Sequence, residues 1–330
     1  MSAKVLLVLL GLLSYGNSKS IDWSFRSGDD QILLLNMTIG TPGQFVSVGI
    51  VEGGAYNDVA VSDLRSGGVF NPSASTSFVQ TGTDYDFDNK TVIGIFGTDT
   101  FQFGNSSSMK KKSFKVYNNQ SWFPTTPGHI GFGRTSKDSQ SFVDSIISEL
   151  DERVVVFAYD HVGDSANSSG TITFGSRHSD RCADDWILVS EHISELFFGE
   201  WMVEIDTLVV GKYEYDSPGQ MGVSLASRPL LVPETYYLVI LNNLNAGLLH
   251  DVDCDILTDI VFTIDQLQIH ISPEDYLDKS QQNETGTCYV QIDKIDDYET
   301  FYLPNSILKR YCLMYDYAQF NVEFATRLSN

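Results

Sequence analysis

One stretch near the start of the chain constrains the fold more than any other. Residues 39–44 read Ile-Gly-Thr-Pro-Gly-Gln, residues 45–51 read Phe-Val-Ser-Val-Gly-Ile-Val, and Glu52 and Gly53 follow. Proline restricts φ and glycine permits positive φ, so the first segment predicts a tight corner. The apolar, β-branched segment after it predicts a strand that ends in a turn.

Short runs of the same kind recur along the chain, and 12% of the residues are aromatic, which favours a mainly β protein. The clearest predicted strands are residues 32–39, 45–51, 92–96, 100–103, 154–159 and 171–174. Helical periodicity is sparse and is clearest over residues 139–150, where four apolar side chains share one face.

The chain is long enough for about two domains. Residues 46–53 and 221–226 form a weak internal repeat, in which an apolar run approaches a turn, and this predicts two similar β lobes. A polar stretch near residues 160–169 is the candidate boundary. We therefore expect a signal peptide over 1–18, an N-terminal lobe over 19–162 and a C-terminal lobe over 163–330.

The first residues have the pattern of a secretory signal. Lys4 precedes an apolar run over residues 5–13, which is too short to span a membrane, and small residues follow at Ser14, Gly16 and Ser18. Cleavage is expected after Gly16 or Ser18. No later stretch predicts a membrane span, so we expect a protein that is secreted or resides in the secretory or lysosomal lumen.

The charge balance limits the partners. With 21 basic and 43 acidic residues, the formal charge is −22, which disfavours nucleic acids and anionic membrane surfaces. The 6 histidines show no metal-ligand spacing and the serines show no Gly-x-Ser-x-Gly elbow. We expect no metal, no cofactor and a monomer.

Secretion changes how the cysteines and asparagines are interpreted. In an oxidising compartment, the four cysteines predict two disulfides, with three pairings open from sequence alone. They are Cys182, Cys254, Cys288 and Cys312. The chain also contains N-x-Ser/Thr glycosylation sequons, which mark exposed positions where they are used. They lie at Asn36, Asn89, Asn105, Asn119, Asn167 and Asn283.

The corner and its strand resemble the start of pepsin-like aspartic proteases, in which Ile-Gly-Thr-Pro-x-Gln precedes the catalytic Asp-Thr-Gly by seven residues. The resemblance continues, in order, over residues 94–100, 128–133, 169–175, 201–206 and 308–318. It implies a mainly β, bilobal acid protease fold, with two β lobes around a central cleft. It also implies that Cys254 and Cys288 form the family's closing disulfide, which leaves Cys182 to pair with Cys312.

The resemblance places the catalytic aspartates at positions where this chain has Val51 and Ser224, and the flap tyrosine at Phe87. Such enzymes need two carboxylates that share a proton, one as base and one as acid. Valine cannot ionise, and serine cannot deprotonate a water near neutral pH. We therefore expect no retained catalytic residue, with Glu52, Gly53, Phe87, Ser224 and Ser227 as cleft candidates.

Three functions are compatible with these substitutions. The first is an inactive pepsin homologue (a pseudoprotease) whose cleft binds a peptide, a protein or another ligand. The second is an active aspartic-type endopeptidase with a non-standard site, in which Glu52 reaches the cleft. The third is a secreted interaction glycoprotein that acts through its outer surface.

Overall fold

The computed structural model describes most of the chain. The described residues are 19–27, 33–51, 59–62, 70–85, 92–104, 109–117, 128–134, 141–161, 168–189, 201–225, 229–246, 251–256, 258–278, 286–296 and 299–328. Strands dominate them, which confirms the mainly β prediction. Within these ranges, no helix has the length and apolarity to cross a bilayer.

Ten of the described strands, numbered in chain order, lie within residues 21–174. They are β1 (Ile21–Ser27), β2 (Leu33–Ile39), β3 (Gln44–Val51), β4 (Val59–Ser62), β5 (Val79–Tyr85), β6 (Val92–Phe103), β7 (Met109–Tyr117), β8 (Gly128–Gly131), β9 (Val154–His161) and β10 (Ser169–Phe174).

The remaining thirteen described strands lie within residues 187–326. They are β11 (Ile187–Val189), β12 (Val203–Val210), β13 (Tyr213–Ser224), β14 (Leu230–Pro233), β15 (Asp251–Asp253), β16 (Ile260–Ile264), β17 (Leu267–Ile271), β18 (Leu277–Asp278), β19 (Thr287–Val290), β20 (Ile292–Ile295), β21 (Thr300–Pro304), β22 (Tyr311–Asp316) and β23 (Asn321–Thr326).

The described strands form three sheets. The largest has 13 strands in the order β11-β23-β22-β9-β10-β1-β2-β3-β8-β4-β7-β6-β5. A 7-stranded sheet follows the order β17-β16-β12-β13-β21-β14-β20, and a 3-stranded sheet follows β15-β19-β18. The final hairpin, β22–β23, therefore joins the large sheet beside β9, while the two smaller sheets contain only strands of the second half.

Strand β9 shows how the large sheet is buried on two sides. Val155 and Phe157 pack into the main core, whereas Val154 and Val156 pack into a second, smaller cluster. Successive side chains of a strand point to opposite faces, so β9 separates two apolar layers. This explains its continuous apolar sequence, because a strand covered on both faces has no exposed side to make polar.

Both predicted disulfides are confirmed. Cys254 and Cys288 are bonded, and so are Cys182 and Cys312, the latter across 130 residues of sequence. Cys182 and Cys312 lie in the smaller cluster described above. This bridge therefore attaches the segment before β11 to the returning strand β22.

The predicted corner is confirmed and has a polar support. Gly40 adopts φ +92°, and a Cβ there would lie 2.7 Å from Ser75 Oγ, so the position requires glycine. The fully buried Asp99 accepts hydrogen bonds from Ser75 Oγ (2.7 Å) and Ser77 Oγ (2.6 Å). Ser75 Oγ also accepts the Thr41 amide at 3.0 Å, which connects Asp99 to the corner.

Two predicted elements differ in length from those observed. The described helix is α1 (Phe142–Ile147), which starts after Ser141 because the Ser141 hydroxyl accepts the Asp144 amide. Residues 92–96 and 100–103 belong to one strand, β6, whose register with β7 shifts between Asp99 and Phe101. The other described α-helices are α2 (Glu234–Asn243) and α3 (Pro273–Tyr276), with 3₁₀ helices at Pro72–Ala74 and Asn305–Lys309.

Candidate functional site

Val51 is the last residue of β3. It pairs in parallel with Gly131 of β8, one step beyond the pair Ile50–Ile130. The Phe132 amide then donates to the Val51 carbonyl at 3.0 Å. The half-buried Val51 side chain is therefore held where two parallel strands end together.

Ser224 occupies the same kind of position in the second half. It is the last residue of β13 and pairs in parallel with Pro304 of β21. Its side chain is only 2% exposed. Beyond this pair, the buried Asn305 side chain donates to the Leu225 carbonyl at 3.5 Å.

The internal repeat predicted from sequence thus has a structural counterpart. In each half, a long strand ends at Val51 or Ser224 beside a short parallel strand. The residue that follows the short strand donates a hydrogen bond to a main-chain carbonyl at or next to the end of the long strand. In the first half this bond comes from a main-chain amide, and in the second from a side-chain amide. Parallel pairing of this kind is infrequent in a mainly antiparallel protein, which makes the match informative.

A chain of contacts links the two strand ends. The Phe132 carbonyl accepts the Trp201 indole N–H at 2.8 Å and the Tyr317 hydroxyl at 2.5 Å. A Cβ on Gly222 would lie 3.1 Å from the Trp201 carbonyl, so the backbones of β13 and the segment before β12 approach closely. Val51 is thereby connected through Phe132 and Trp201 to Gly222, two residues before Ser224.

The Tyr317 hydroxyl is fixed as a donor. Burial raises the pKa of the Tyr317 phenol well above its usual range, and Tyr315 and Asp144 raise it further. The phenol therefore keeps its proton and can donate to the Phe132 carbonyl. Trp201 stacks on Tyr315 with centroids 4.7 Å apart and meets Tyr317 edge-on at 4.9 Å, so both donors belong to one packed aromatic group.

An imidazole lies next to the first strand end. His129 pairs with Gly49, the residue pair immediately before that of Ile50, and is 5% exposed. Paired residues share a face and alternate residues return to it, so His129 lies on the face that carries Val51. The place of His129 beside Val51 is a result of the strand register, which the sequence alone does not give.

Several predicted site residues lie outside the described residues. These are Glu52, Gly53, Phe87 and Ser227, together with the sequons at Asn89, Asn105, Asn119, Asn167 and Asn283. The sequon at Asn36 is described, and its side chain is exposed on β2. Among the described residues, no group of three or more His, Cys, Asp and Glu side chains could hold a metal ion.

A separate cavity of about 820 Å³ lies at the start of α3. Arg310 lies in its wall and binds the buried Asp275 carboxylate at 2.6 Å and the His270 carbonyl at 2.6 Å. Its lining includes neither strand end. We therefore place the candidate site at Val51 and Ser224.

Comparison with known proteins agrees with this geometry. The family model for eukaryotic aspartyl proteases matches residues 34–327, which is most of the chain. The chain belongs to this family. A search of curated proteins gave no match.

Membership of the aspartyl protease family confirms the resemblance found in the sequence, and with it the mainly β, bilobal fold. In the resemblance found in the sequence, Val51 and Ser224 occupy the positions of the family's two catalytic aspartates. In the structure, each of them is the last residue of a strand. Sequence reasoning did not identify Trp201 and Tyr317 as the link between these strands, because that link depends on contacts between distant segments.

Proposed function

We propose that this chain is a secreted aspartyl protease homologue that is catalytically inactive and retains its cleft for binding a peptide, a protein or another ligand. The observation that carries the proposal is the pair of equivalent strand ends, which bear Val51 and Ser224. The scaffold that positions two carboxylates is present, while the side chains at those positions cannot share a proton.

The chemistry of the two positions supports loss of proteolysis. The family reaction needs one carboxylate to activate water and a second, protonated carboxyl to donate to the peptide carbonyl. Val51 supplies neither group, and the Ser224 hydroxyl supplies hydrogen bonds only. Removal of members of a catalytic unit lowers the rate by about 10⁴-fold or more.

Retention of the surrounding structure supports a binding role. The Phe132 carbonyl accepts hydrogen bonds from Trp201 and Tyr317, and the Asn305 side chain donates to the Leu225 carbonyl beside Ser224. Such buried bonds cost free energy when they are left incomplete, so they hold the two strand ends in fixed positions to which a ligand can bind. A peptide or protein that lies between the lobes is the occupant we propose.

The remaining expectations form part of the proposal. We propose a signal peptide over 1–18 and lobes over 19–162 and 163–330, whose boundary falls between β9 and β10. We also propose a monomeric glycoprotein of the secretory or lysosomal lumen, or outside the cell. The two disulfides and the exposed Asn36 support an oxidising, glycosylating route.

Proteolysis is the first test. The purified mature protein is incubated with an unfolded protein mixture from pH 3 to pH 7, with and without pepstatin, and new termini are identified by mass spectrometry. We expect no new termini, and none after Val51→Asp or Ser224→Asp alone, because one carboxylate cannot serve both roles. Pepstatin-sensitive cleavage that is lost in Glu52→Gln would overturn the proposal in favour of an active endopeptidase.

Ligand capture is the second test. The protein is exposed to a random peptide library, and bound peptides are identified after washing. We expect Val51→Tyr to abolish capture by filling the first strand end, whereas Val261→Tyr, at another half-buried strand valine, leaves it unchanged. Equal capture by both variants would place binding on the outer surface and favour the interaction glycoprotein.

A further inference from the structure

The main chain of Lys19 is held by Asp151. The Lys19 nitrogen donates to Asp151 Oδ2 at 2.8 Å, and the Asp151 amide donates back to the Lys19 carbonyl at 3.5 Å. The two residues are 132 positions apart in the sequence. This reciprocal pair lies two residues before β1, which enters the large sheet between β10 and β2.

A close glycine contact holds the same point. Gly175 adopts φ +82°, and a Cβ at this position would lie 2.8 Å from the Lys19 carbonyl oxygen and 2.6 Å from Leu150 Cβ. The Lys19 carbonyl is therefore close to the Gly175 backbone while the Lys19 nitrogen bonds Asp151, so two contacts fix the Lys19 main chain.

The sequence before Lys19 offers two signal-peptidase sites. A small residue three positions before the cut and another immediately before it are the usual requirement. Ser14 with Gly16 meets it, and so does Gly16 with Ser18. Only the second cut makes Lys19 the first residue of the mature chain.

Building on the proposed signal peptide over residues 1–18, we propose that the α-ammonium of Lys19, released when signal peptidase hydrolyses the Ser18–Lys19 bond, forms an ion pair with Asp151. The C–N bond breaks, water adds its hydroxyl to the Ser18 carbonyl carbon, and one hydrogen goes to the Lys19 nitrogen. The proton of the new Ser18 carboxylic acid completes the ammonium. A neutral amide donor to Asp151 thus becomes a charged one.

This change strengthens a contact that already exists between the Lys19 nitrogen and Asp151. Hydrogen bonds between two ionised groups are shorter and stronger than bonds with a neutral donor. Cleavage after Gly16 would instead leave Asn17 and Ser18 ahead of Lys19, and the donor to Asp151 would remain an uncharged amide. Only the cut after Ser18 therefore places a positive charge against Asp151. This difference does not depend on any activity in the cleft.

The first measurement identifies the mature terminus. The full chain is secreted from eukaryotic cells, its N-glycans are removed, and the terminus is determined by intact mass and terminal sequencing. We expect Lys19 as the first residue. A terminus at Asn17, or at any other residue, would overturn the assignment of the cut.

The second measurement tests the ion pair by a four-protein cycle. Chains that begin at Lys19 or at Asn17 are prepared with a removable leader, each with Asp151 or Asp151→Asn. We expect Asp151→Asn to lower the Tm by about 1–3 °C in the Lys19 form and by a smaller amount in the Asn17 form. An equal fall in both forms would show that the charge of the terminus is not recognised.

A matched control excludes a general charge effect. Asp184 is an aspartate outside the contact with Lys19, with a side chain that is 93% exposed. Asp184→Asn changes the net charge by the same amount as Asp151→Asn. We expect Asp184→Asn to change the Tm by the same amount in the Lys19 and Asn17 forms, and unequal changes would contradict the specific role of Asp151.

Discussion

The Trp201 indole N–H donates to the Phe132 carbonyl at 2.8 Å, and this bond joins the two halves of the candidate site. Phe132 in turn donates its amide to the Val51 carbonyl at 3.0 Å. The two strand ends are thus linked through Phe132, whose uncharged carbonyl lies far from Val51 and from Ser224 in the sequence. Its energetic importance is open to direct measurement.

The losses of unfolding free energy caused by removing the two hydrogen-bond donors to the Phe132 carbonyl are predicted to be non-additive. Trp201→Phe and Tyr317→Phe each leave one donor, so each costs about 1 kcal/mol of unfolding free energy from the lost bond, in addition to the cost of changed packing. The double variant leaves a buried carbonyl without either donor, and we expect its cost to exceed the sum by about 1 kcal/mol. Urea unfolding of the four proteins measures this difference, and additivity within about 0.5 kcal/mol would refute the shared role.

The hydrogen bonds to Asp99 are predicted to stabilise the corner at residues 40–43. Its carboxylate is fully buried and accepts Ser75 Oγ, Ser77 Oγ and the Thr100 amide, at 2.7, 2.6 and 2.8 Å. Ser77→Ala removes one donor to a charged group, and we expect a loss of about 1.5–3 kcal/mol in unfolding free energy. Ser113→Ala, at an exposed strand serine, is the control and should change stability by less than about 0.5 kcal/mol.

The two disulfides are predicted to contribute unequally. Cys182–Cys312 closes 130 residues and Cys254–Cys288 closes 34, so the chain-entropy model gives a contribution larger by about 1 kcal/mol for the first. Paired alanine variants of each bridge, compared by urea unfolding, test the order. A larger loss for Cys254→Ala with Cys288→Ala would show that native-state strain or packing outweighs the loop length.

Glu323 is predicted to make stability depend on pH. Burial raises the pKa of the Glu323 carboxyl, Arg177 lowers it, and Asp316 raises it again, with the net direction upward. A carboxyl whose pKa is higher in the folded than in the unfolded state binds more protons when folded. Stability from this group is therefore greatest at acidic pH and falls as the pH rises from about 4 through the folded-state pKa.

Glu323→Gln should flatten this part of the pH profile. The Tm is measured from pH 4 to pH 8, and we expect the wild type to lose more stability over the interval than the variant. Glu234→Gln is the control, because Glu234 is 56% exposed and forms only a surface pair with Lys294. If the Glu323→Gln and wild-type profiles run parallel, the proposed effect of burial is wrong.

Local sequence was sufficient for the features that local geometry controls. The corner at residues 40–43 follows from its glycines and proline, and the main strands follow from their apolar runs. The helix was predicted too long because its apolar periodicity extends to Leu150, whereas the helix ends at Ile147 and the Glu149 and Leu150 amides donate to carbonyls only three residues earlier. Strand β6 was predicted as two pieces because its register shift interrupts the pattern without interrupting the strand.

The sequence by itself determined the family, the mainly β fold and the identities of Val51 and Ser224 at the two candidate positions, because these are read from the order and spacing of residues. Only the tertiary structure decided that both residues end parallel strand pairs, that His129 lies on the face of Val51, and that Phe132 receives Trp201 and Tyr317. These relationships join segments separated by up to 185 residues. Their partners are selected by packing and by the need to satisfy buried polar groups, which no local pattern encodes.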